Sequence, residues 1–115
     1  MKPLKKVEFI IRPSKLEKVK EALGRSGIKG MTVTHVTGCG LQQGKTEVYR
    51  GSTYTVNLLP KVKIEIIIQD SILEETINTI CQEAKTGEIG DGKIFVYPLE
   101  NVIRIRTGEQ GEKAI

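Results

Sequence analysis

The chain has 115 residues, 38% of them hydrophobic and 28% charged, which is enough for one domain with an ordinary hydrophobic core. Its apolar runs are far shorter than the ~20 residues of a membrane-spanning helix, and its basic start lacks the apolar region of a secretory signal. The net charge of +4 permits contact with phosphates, carboxylates or nucleic acid without choosing among them.

Two cysteines, Cys39 and Cys81, are too few for a disulfide framework. His35 is the single histidine, so the cysteines lack the additional ligands that a metal site needs. We expect His35 to be an ordinary strand residue. The sequence therefore predicts one reduced cytoplasmic domain over residues 1–115, with two free thiols.

The first half of the chain predicts a strand, a helix and a second strand. Segment 7–12 is apolar and β-branched, as a strand would be. Ser14 and Glu17 have the spacing of a capping box, and Gly24 follows the apolar helical face. Segment 31–36 alternates with threonines, which predicts the second strand.

The second half repeats this order. Segment 62–68 predicts a strand, and Ser71 with Glu74 has capping-box spacing for a second helix. Segments 93–97 and 102–106 predict two further strands, and the polar tail of residues 108–115 predicts no regular structure. We expect the buried side of the second helix to comprise Ile72, Leu73, Ile77, Ile80, Cys81 and Ala84.

Two βαβ halves predict an α+β, ferredoxin-like double βαβ sandwich with both helices on one face of the sheet. Segments 9–11 and 66–68 are apolar at consecutive positions, so both faces of these strands are apolar. The chain's helices can cover only one face. We therefore expect another copy of the chain to cover the other face.

A connection of 23 residues, 38–60, separates the two halves. Structureless connections longer than ~12–15 residues are uncommon in compact domains and are usually functional or disordered. The segment carries Tyr49 and Tyr54, which suggests a contact or modification surface. A tolerated insertion is the alternative that length alone leaves open.

The turn 87–93 formally matches the start of a P-loop, but Ile94 stands where Ser or Thr should bind magnesium. The turn also follows a helix and opens a strand, the reverse of the P-loop order, so we reject that interpretation. Two interpretations remain: an anion site with backbone N–H groups and Lys93, or an ordinary Asp-Gly turn.

Further cations flank these segments. Arg104 and Arg106 alternate on one face of a predicted strand, which suits an oligophosphate, although surface arginines on an edge strand are equally compatible with the pattern. Lys61 directly follows the long segment and is placed to meet an anion there. The sequence contains no recognisable catalytic constellation, so we expect a protein that is not an enzyme.

Five strings of the sequence resemble the PII nitrogen-regulatory signal-transduction proteins over nearly the whole chain. The strings are residues 30–34, 46–54, 59–66, 86–96 and 102–109. The resemblance implies a ferredoxin-like homotrimer with ATP or ADP bound in clefts between subunits, and 2-oxoglutarate bound together with Mg²⁺ and ATP. It implies that the 38–60 segment is a signalling loop read by ammonium channels and by regulators of glutamine synthesis, with membrane contact only through a channel.

The resemblance also implies residue roles. The nucleotide-binding positions are Thr32, Gly38, Gly40, Leu41, Gln42, Glu65, Ile67, Gly90, Asp91, Gly92, Lys93, Arg104 and Arg106. The 2-oxoglutarate positions are Gln42, Gln43, Gly44 and Lys61, with Gln42 also a magnesium ligand. Tyr49 and Arg50 match partner-contact positions, with Arg50 entering a channel mouth. Tyr54 and Ser52 match positions that are uridylylated or phosphorylated in relatives.

Two positions depart from many family members, which have arginine at position 41 and lysine at position 43. Here these positions hold Leu41 and Gln43, and the loss of the arginine removes a possible contact to the γ-phosphate.

Two other function classes compete with a regulatory sensor. One is a slow nucleotidase or another anion-binding module that uses the same cleft. The other is an RNA-binding ferredoxin-like module, which would need aromatic stacking residues on its central strands. Only 4% of the residues are aromatic, which disfavours nucleic acid as a partner.

Overall fold

Four antiparallel strands form one sheet in the order β2-β3-β1-β4. The computed structural model describes residues 3–49 and 52–115, and the side chains of residues 3–39 and 58–115. The strands are β1 (Leu4–Ile11), β2 (Thr32–Tyr49), β3 (Ser52–Gln69) and β4 (Lys93–Leu99), and the helices are α1 (Leu16–Arg25) and α2 (Leu73–Ala84). This arrangement confirms the predicted α+β, ferredoxin-like fold.

The hydrophobic core lies between the sheet and the two helices. Alternate residues of β1 and β3 are buried because successive strand side chains point to opposite faces. The largest fully buried side chains are Phe9, Leu23, Ile64, Ile66, Ile68, Ile80, Val7, Val19 and Val62. The pairing of Phe9 with Ile64 on β3 and with Ile94 on β4 fixes this face of the sheet against the helices.

The opposite face of the sheet, called here the open face, mixes apolar and charged side chains. Ile10 and Ile67 lie on it and are half-buried, as the runs of consecutive apolar residues predicted. Phe95 and Tyr97 of β4 lie on the same face because they pair directly with Glu8 and Lys6. Both helices pack on the other side, so the apolar part of the open face is left to solvent or to another chain.

The helix starts differ from the sequence prediction. Both helices are entered through 3-10 turns, Pro13–Lys15 and Asp70–Ile72, so the helical N-caps are Lys15 and Ile72. Neither position makes a side-chain cap hydrogen bond. The predicted capping boxes at Ser14 and Ser71 are therefore wrong, because these serines lie inside the preceding turns.

The buried side of α2 also differs from the prediction. Ile80 and Ala84 are buried as predicted, and Ile72 and Leu73 pack partly buried against the core, whereas Cys81 is exposed and Thr76 is buried instead. Thr76 tolerates burial because its hydroxyl donates a 2.7 Å hydrogen bond to the carbonyl of Ile72, one turn earlier.

The segment 38–60 is a two-stranded ribbon in its described backbone, not an irregular loop. β2 and β3 remain paired from Thr32–Glu65 to Tyr49–Ser52, with a register shift between Gln43 and Val48. The predicted strand over 102–106 is wrong: Ile103 forms an isolated bridge with Gln110 across a tight turn. The tail is also more regular than expected, since Gly111–Ala114 forms a 3-10 turn with Gly111 buried.

Within the described residues, neither helix combines the length and apolar character needed to cross a membrane.

Candidate functional site

The turn between α2 and β4 is organised by one carboxylate, that of Asp91. Its Oδ2 accepts hydrogen bonds from the backbone N–H groups of Thr86 (2.8 Å) and Gly87 (2.9 Å). Its Oδ1 accepts from the Thr86 hydroxyl and from Arg12 Nε, the latter at 3.1 Å. The Thr86 hydroxyl, followed by its backbone N–H and then by Gly87 and Arg12, holds the pKa of Asp91 well below its usual range. Both oxygens of the carboxylate are thus used in hydrogen bonds that hold the turn together.

The same turn needs glycine at two places. Gly90 and Gly92 both have φ of +103°, in the region that L side chains rarely adopt. A Cβ on Gly92 would also lie 1.7 Å from the carbonyl oxygen of Ile10. Gly92 therefore allows the turn to sit directly on β1.

Two cations hold the outer side of the turn through consecutive carbonyls. Arg12 Nη2 donates to the carbonyl of Ile89 at 2.9 Å, and Lys61 Nζ donates to that of Gly90 at 2.6 Å. Gly38 lies beside Lys61, since a Cβ on it would be 3.2 Å from Lys61 Cγ. These residues form what we call the cationic turn site: Arg12, Gly38, Lys61 and residues 86–93.

A second concave region lies elsewhere on the same subunit. It is a groove of about 830 Å³ whose lining includes Thr32, Glu65, Ile67 and Arg104. Its lining includes none of the residues of the cationic turn site. On β3, Glu65 is four residues from Lys61, which corresponds to roughly 13 Å along an extended strand.

Charges near this groove are paired. Glu65 lies 2.9 Å from Lys6 Nζ and 3.9 Å from Lys63 Nζ. The hydrogen bond from Lys6 lowers the pKa of Glu65, and the same bond raises the pKa of Lys6. Arg104 Nη1 is 2.9 Å from Glu109 Oε1. Polar contacts therefore already engage both Glu65 and Arg104.

The predicted site residues thus divide between the two regions. Gly38, Lys61 and the turn 90–92 come together, and Lys93 follows them at the start of β4. Thr32, Glu65, Ile67 and Arg104 line the separate groove, while Arg106 is exposed. The remaining predictions lie outside the described side chains: Gly40, Leu41, Gln42, Gln43, Gly44, Tyr49, Arg50, Ser52 and Tyr54.

Arg12 is a site residue that the sequence analysis missed. It directly follows β1, whose last residue, Ile11, pairs with Val62. This register places Arg12 beside Lys61, the residue before Val62. The sequence shows only a cation at the end of a strand. The pairing of β1 with β3 is needed to place that cation beside Lys61.

Comparison with known proteins adds to this geometry. A sequence model of the family described as "Nitrogen regulatory protein P-II" matches residues 4–109. A protein of that name from Azospirillum brasilense is 60% identical over 112 residues, which cover 97% of this chain and 100% of the relative. The chain belongs to the P-II nitrogen regulatory protein family. The P-II match includes Arg12, Lys61, the turn 86–93 and Arg104.

Solved structures agree with the P-II fold. The ATP complex of Bacillus subtilis GlnK superposes with a TM-score of 0.84 at 40% identity, covering 98% of this chain and 96% of that one. Arabidopsis thaliana PII bound to citrate gives a TM-score of 0.81 at 45% identity, covering 99% and 94%. The P-II relatives are named as regulatory proteins. The GlnK structure holds ATP and the Arabidopsis thaliana PII structure holds citrate.

Proposed function

We propose that this chain is a trimeric sensor of nitrogen, carbon and energy status in the cytoplasm. It binds ATP or ADP in clefts between subunits, and 2-oxoglutarate together with Mg²⁺ and ATP. It signals through the 38–60 segment to ammonium channels or to regulators of glutamine synthesis. The observation that carries the proposal is the cationic turn site, where two cations converge on a glycine turn.

The cations of the turn site are available for exchange to a ligand. Lys61 donates to a neutral carbonyl, and so does Arg12 Nη2, although Arg12 Nε is paired with Asp91; phosphate and carboxylate oxygens carry charge and form stronger hydrogen bonds with cations. An anion that reaches this site can therefore replace the carbonyls as the acceptor. In this proposal Lys61 binds a carboxylate of 2-oxoglutarate, and Lys93 with the turn backbone binds phosphate.

The groove supplies the second half of the cleft. Thr32, Glu65 and Ile67 surround the adenine, and Arg104 with Arg106 reaches the phosphates. The separation of this groove from the turn site within one subunit supports a site completed by a neighbouring copy, because one nucleotide then bridges a turn and a groove from different chains. The ATP complex of GlnK supports nucleotide as the ligand class.

Magnesium enters this proposal with the nucleotide. In the part of the chain that the structure describes, no group of three or more His, Cys, Asp or Glu side chains could hold a metal ion. Magnesium sites often consist of one or two protein ligands, substrate phosphates and waters. Gln42 is the expected protein ligand, and the ion would bring the phosphates and 2-oxoglutarate together at the base of the 38–60 segment.

Signalling follows from a shift between conformations. A ligand biases the 38–60 segment only through contacts that differ between its conformations. ATP with magnesium and 2-oxoglutarate contacts the base of the segment, at residues 38–44 and Lys61. ADP lacks the γ-phosphate and makes fewer such contacts, so partners that contact Tyr49 and Arg50 meet a different shape. Modification of Tyr54 or Ser52 would change the same surface.

Titration calorimetry tests the proposal. We expect ATP to bind the wild-type protein, and 2-oxoglutarate to bind only when magnesium and ATP are present. Lys61→Ala should abolish the 2-oxoglutarate signal while ATP binding remains, and Lys20→Ala, which removes an exposed lysine of α1, should change neither. A wild-type protein that binds no nucleotide would refute the proposal. Sustained phosphate release would favour a nucleotidase.

A further inference from the structure

The segment after β4 folds into a tight hairpin around Arg104. The N–H of Arg104 donates to the carbonyl of Glu109 at 2.9 Å, and the N–H of Gly108 donates back to the carbonyl of Arg104 at 2.7 Å. Gly108 has φ of +73°, which lets the chain reverse there. These bonds fix residues 104 and 109 side by side.

The hairpin holds a carboxylate on the Arg104 guanidinium. Glu109 Oε1 accepts from Arg104 Nη1 at 2.9 Å and from the Thr107 hydroxyl at 2.9 Å. The Thr107 oxygen in turn accepts from the N–H of Glu109 at 3.2 Å. The position of the carboxylate is thus set by the hairpin as well as by its attraction to Arg104.

Arg104 also lines the groove, together with Thr32, Glu65 and Ile67. A guanidinium binds a phosphate best through two parallel N–H bonds. Glu109 occupies one N–H of Nη1 and offsets part of the guanidinium charge, so a phosphate that binds Arg104 competes with this carboxylate.

We propose that Glu109 is an internal competitor for Arg104, which lowers the affinity of the protein for nucleotide phosphates and so adjusts it to nucleotide concentration. The inference rests on the proposed nucleotide-binding function. Each binding event exchanges a carboxylate on Arg104 for a phosphate. Glu109 is therefore a residue that tunes affinity through Arg104 without itself binding the ligand.

The test compares ATP affinities of the full chain by calorimetry. Glu109→Gln keeps the size of the side chain and an oxygen for Thr107 but removes the charge. We expect it to tighten ATP binding by about 1.5- to 5-fold at low salt, with a smaller gain at 1 M salt because exposed charges are then screened. Glu100→Gln, which removes an exposed carboxylate just before the hairpin, is the matched control and should leave the affinity unchanged.

A double-mutant cycle identifies Arg104 as the target. In an Arg104→Ala background, Glu109→Gln should give no gain. If Glu109→Gln does not fold, Thr107→Val serves instead: it frees the carboxylate from one hydrogen bond and should give a smaller gain in the same direction.

Unchanged or weaker ATP binding by Glu109→Gln, or a gain that persists without Arg104, would overturn the inference while the proposed function stands. A wild-type chain that binds no ATP would overturn both.

Discussion

At the scale of single residues, Asp91 is the clearest case of a side chain whose role differs from its motif. In a glycine turn next to a lysine, an acidic residue suggests a ligand contact, yet both of its carboxylate oxygens accept hydrogen bonds from Thr86, Gly87 and Arg12. Asp91 therefore supports the cationic turn site indirectly, by holding the turn and by bringing Arg12 to it.

Asp91→Asn should lower the melting temperature of the protein. The amide would place N–H donors against the N–H and O–H donors that now meet the carboxylate. Because the pKa of Asp91 is depressed in the folded state, its contribution to the free energy of unfolding is fully present above its ordinary pKa of 3.8. That contribution is lost as pH falls below this value toward the folded pKa.

The measurement is thermal unfolding as a function of pH. The wild type should lose stability below about pH 4 more steeply than the variant does. Asp70→Asn is the control, since Asp70 makes only a 3.8 Å ion pair with Lys5 at the surface. Equal pH profiles for wild type and Asp91→Asn would contradict the assigned role.

Substitution of two glycines of the same turn by alanine should lower the free energy of unfolding by unequal amounts. Gly87 has φ of +90° but open space around its Cβ position, so Gly87→Ala should cost about 1–3 kcal/mol of strain. Gly92→Ala adds a Cβ 1.7 Å from the Ile10 carbonyl and forces β1 away from the turn, at a cost beyond about 4 kcal/mol. Chemical denaturation of both variants measures the difference. Similar costs would show that the turn does not sit on β1 as described.

At the scale of elements, none of the described side chains of the 38–60 segment, those of residues 38, 39 and 58–60, belongs to the buried core cluster. The buried cluster is formed by residues between Val7 and Ile28 and between Val62 and Ala84. Gln43 pairs directly with Tyr54, so residues 44–53 can be replaced by Asn-Gly, a two-residue hairpin turn. We expect this variant to keep its free energy of unfolding within about 1 kcal/mol.

Calorimetry and denaturation test that replacement together. ATP binding should persist, since the turn and the groove are intact, whereas contact with a partner should be lost with Tyr49 and Arg50. A replacement of the same residues by ten Gly and Ser residues controls for chain length. Unfolding of either variant would mean that the segment contributes to the core.

The fold was predictable where side-chain periodicity was strong. The alternation in 62–68 and the helical repeat of Leu16, Val19 and Leu23 gave the sheet and α1. The ribbon over 38–60 was not predicted, because Gly38, Gly40 and Gly44 interrupt its alternation although the backbone still pairs. The strand over 102–106 was predicted wrongly, since alternation alone does not show that Gly108 reverses the chain.

The site was less predictable than the fold for a related reason. Lys61 and the glycine turn were found because each lies in a recognisable string. Arg12 was missed because its partners, Ile89 and Asp91, are 77 and 79 residues away along the chain. Such contacts depend on the register between paired strands, which cannot be deduced from a single sequence.

At the scale of the whole molecule, the open face of the sheet carries the prediction of a homotrimer. Ile10 and Ile67 are half-buried there, and Phe95 is 38% exposed in the single chain. Two of the charged residues on this face, Lys6 and Glu65, already form an ion pair, so covering the face would not leave those two charges without a partner. A second and a third copy could therefore bury it.

Light scattering of the purified protein should give a mass of about 38 kDa, three times the 12.8 kDa of the chain. Phe95→Glu should shift the mass toward that of one chain, because an unpaired carboxylate would be buried in the interface. Val96→Glu is the matched control: Val96 is the next residue, 41% exposed, and points to the helix side of the sheet. If both variants remain trimeric, the open face is not the interface. If Val96→Glu alone dissociates the trimer, the subunits associate through the opposite side of β4.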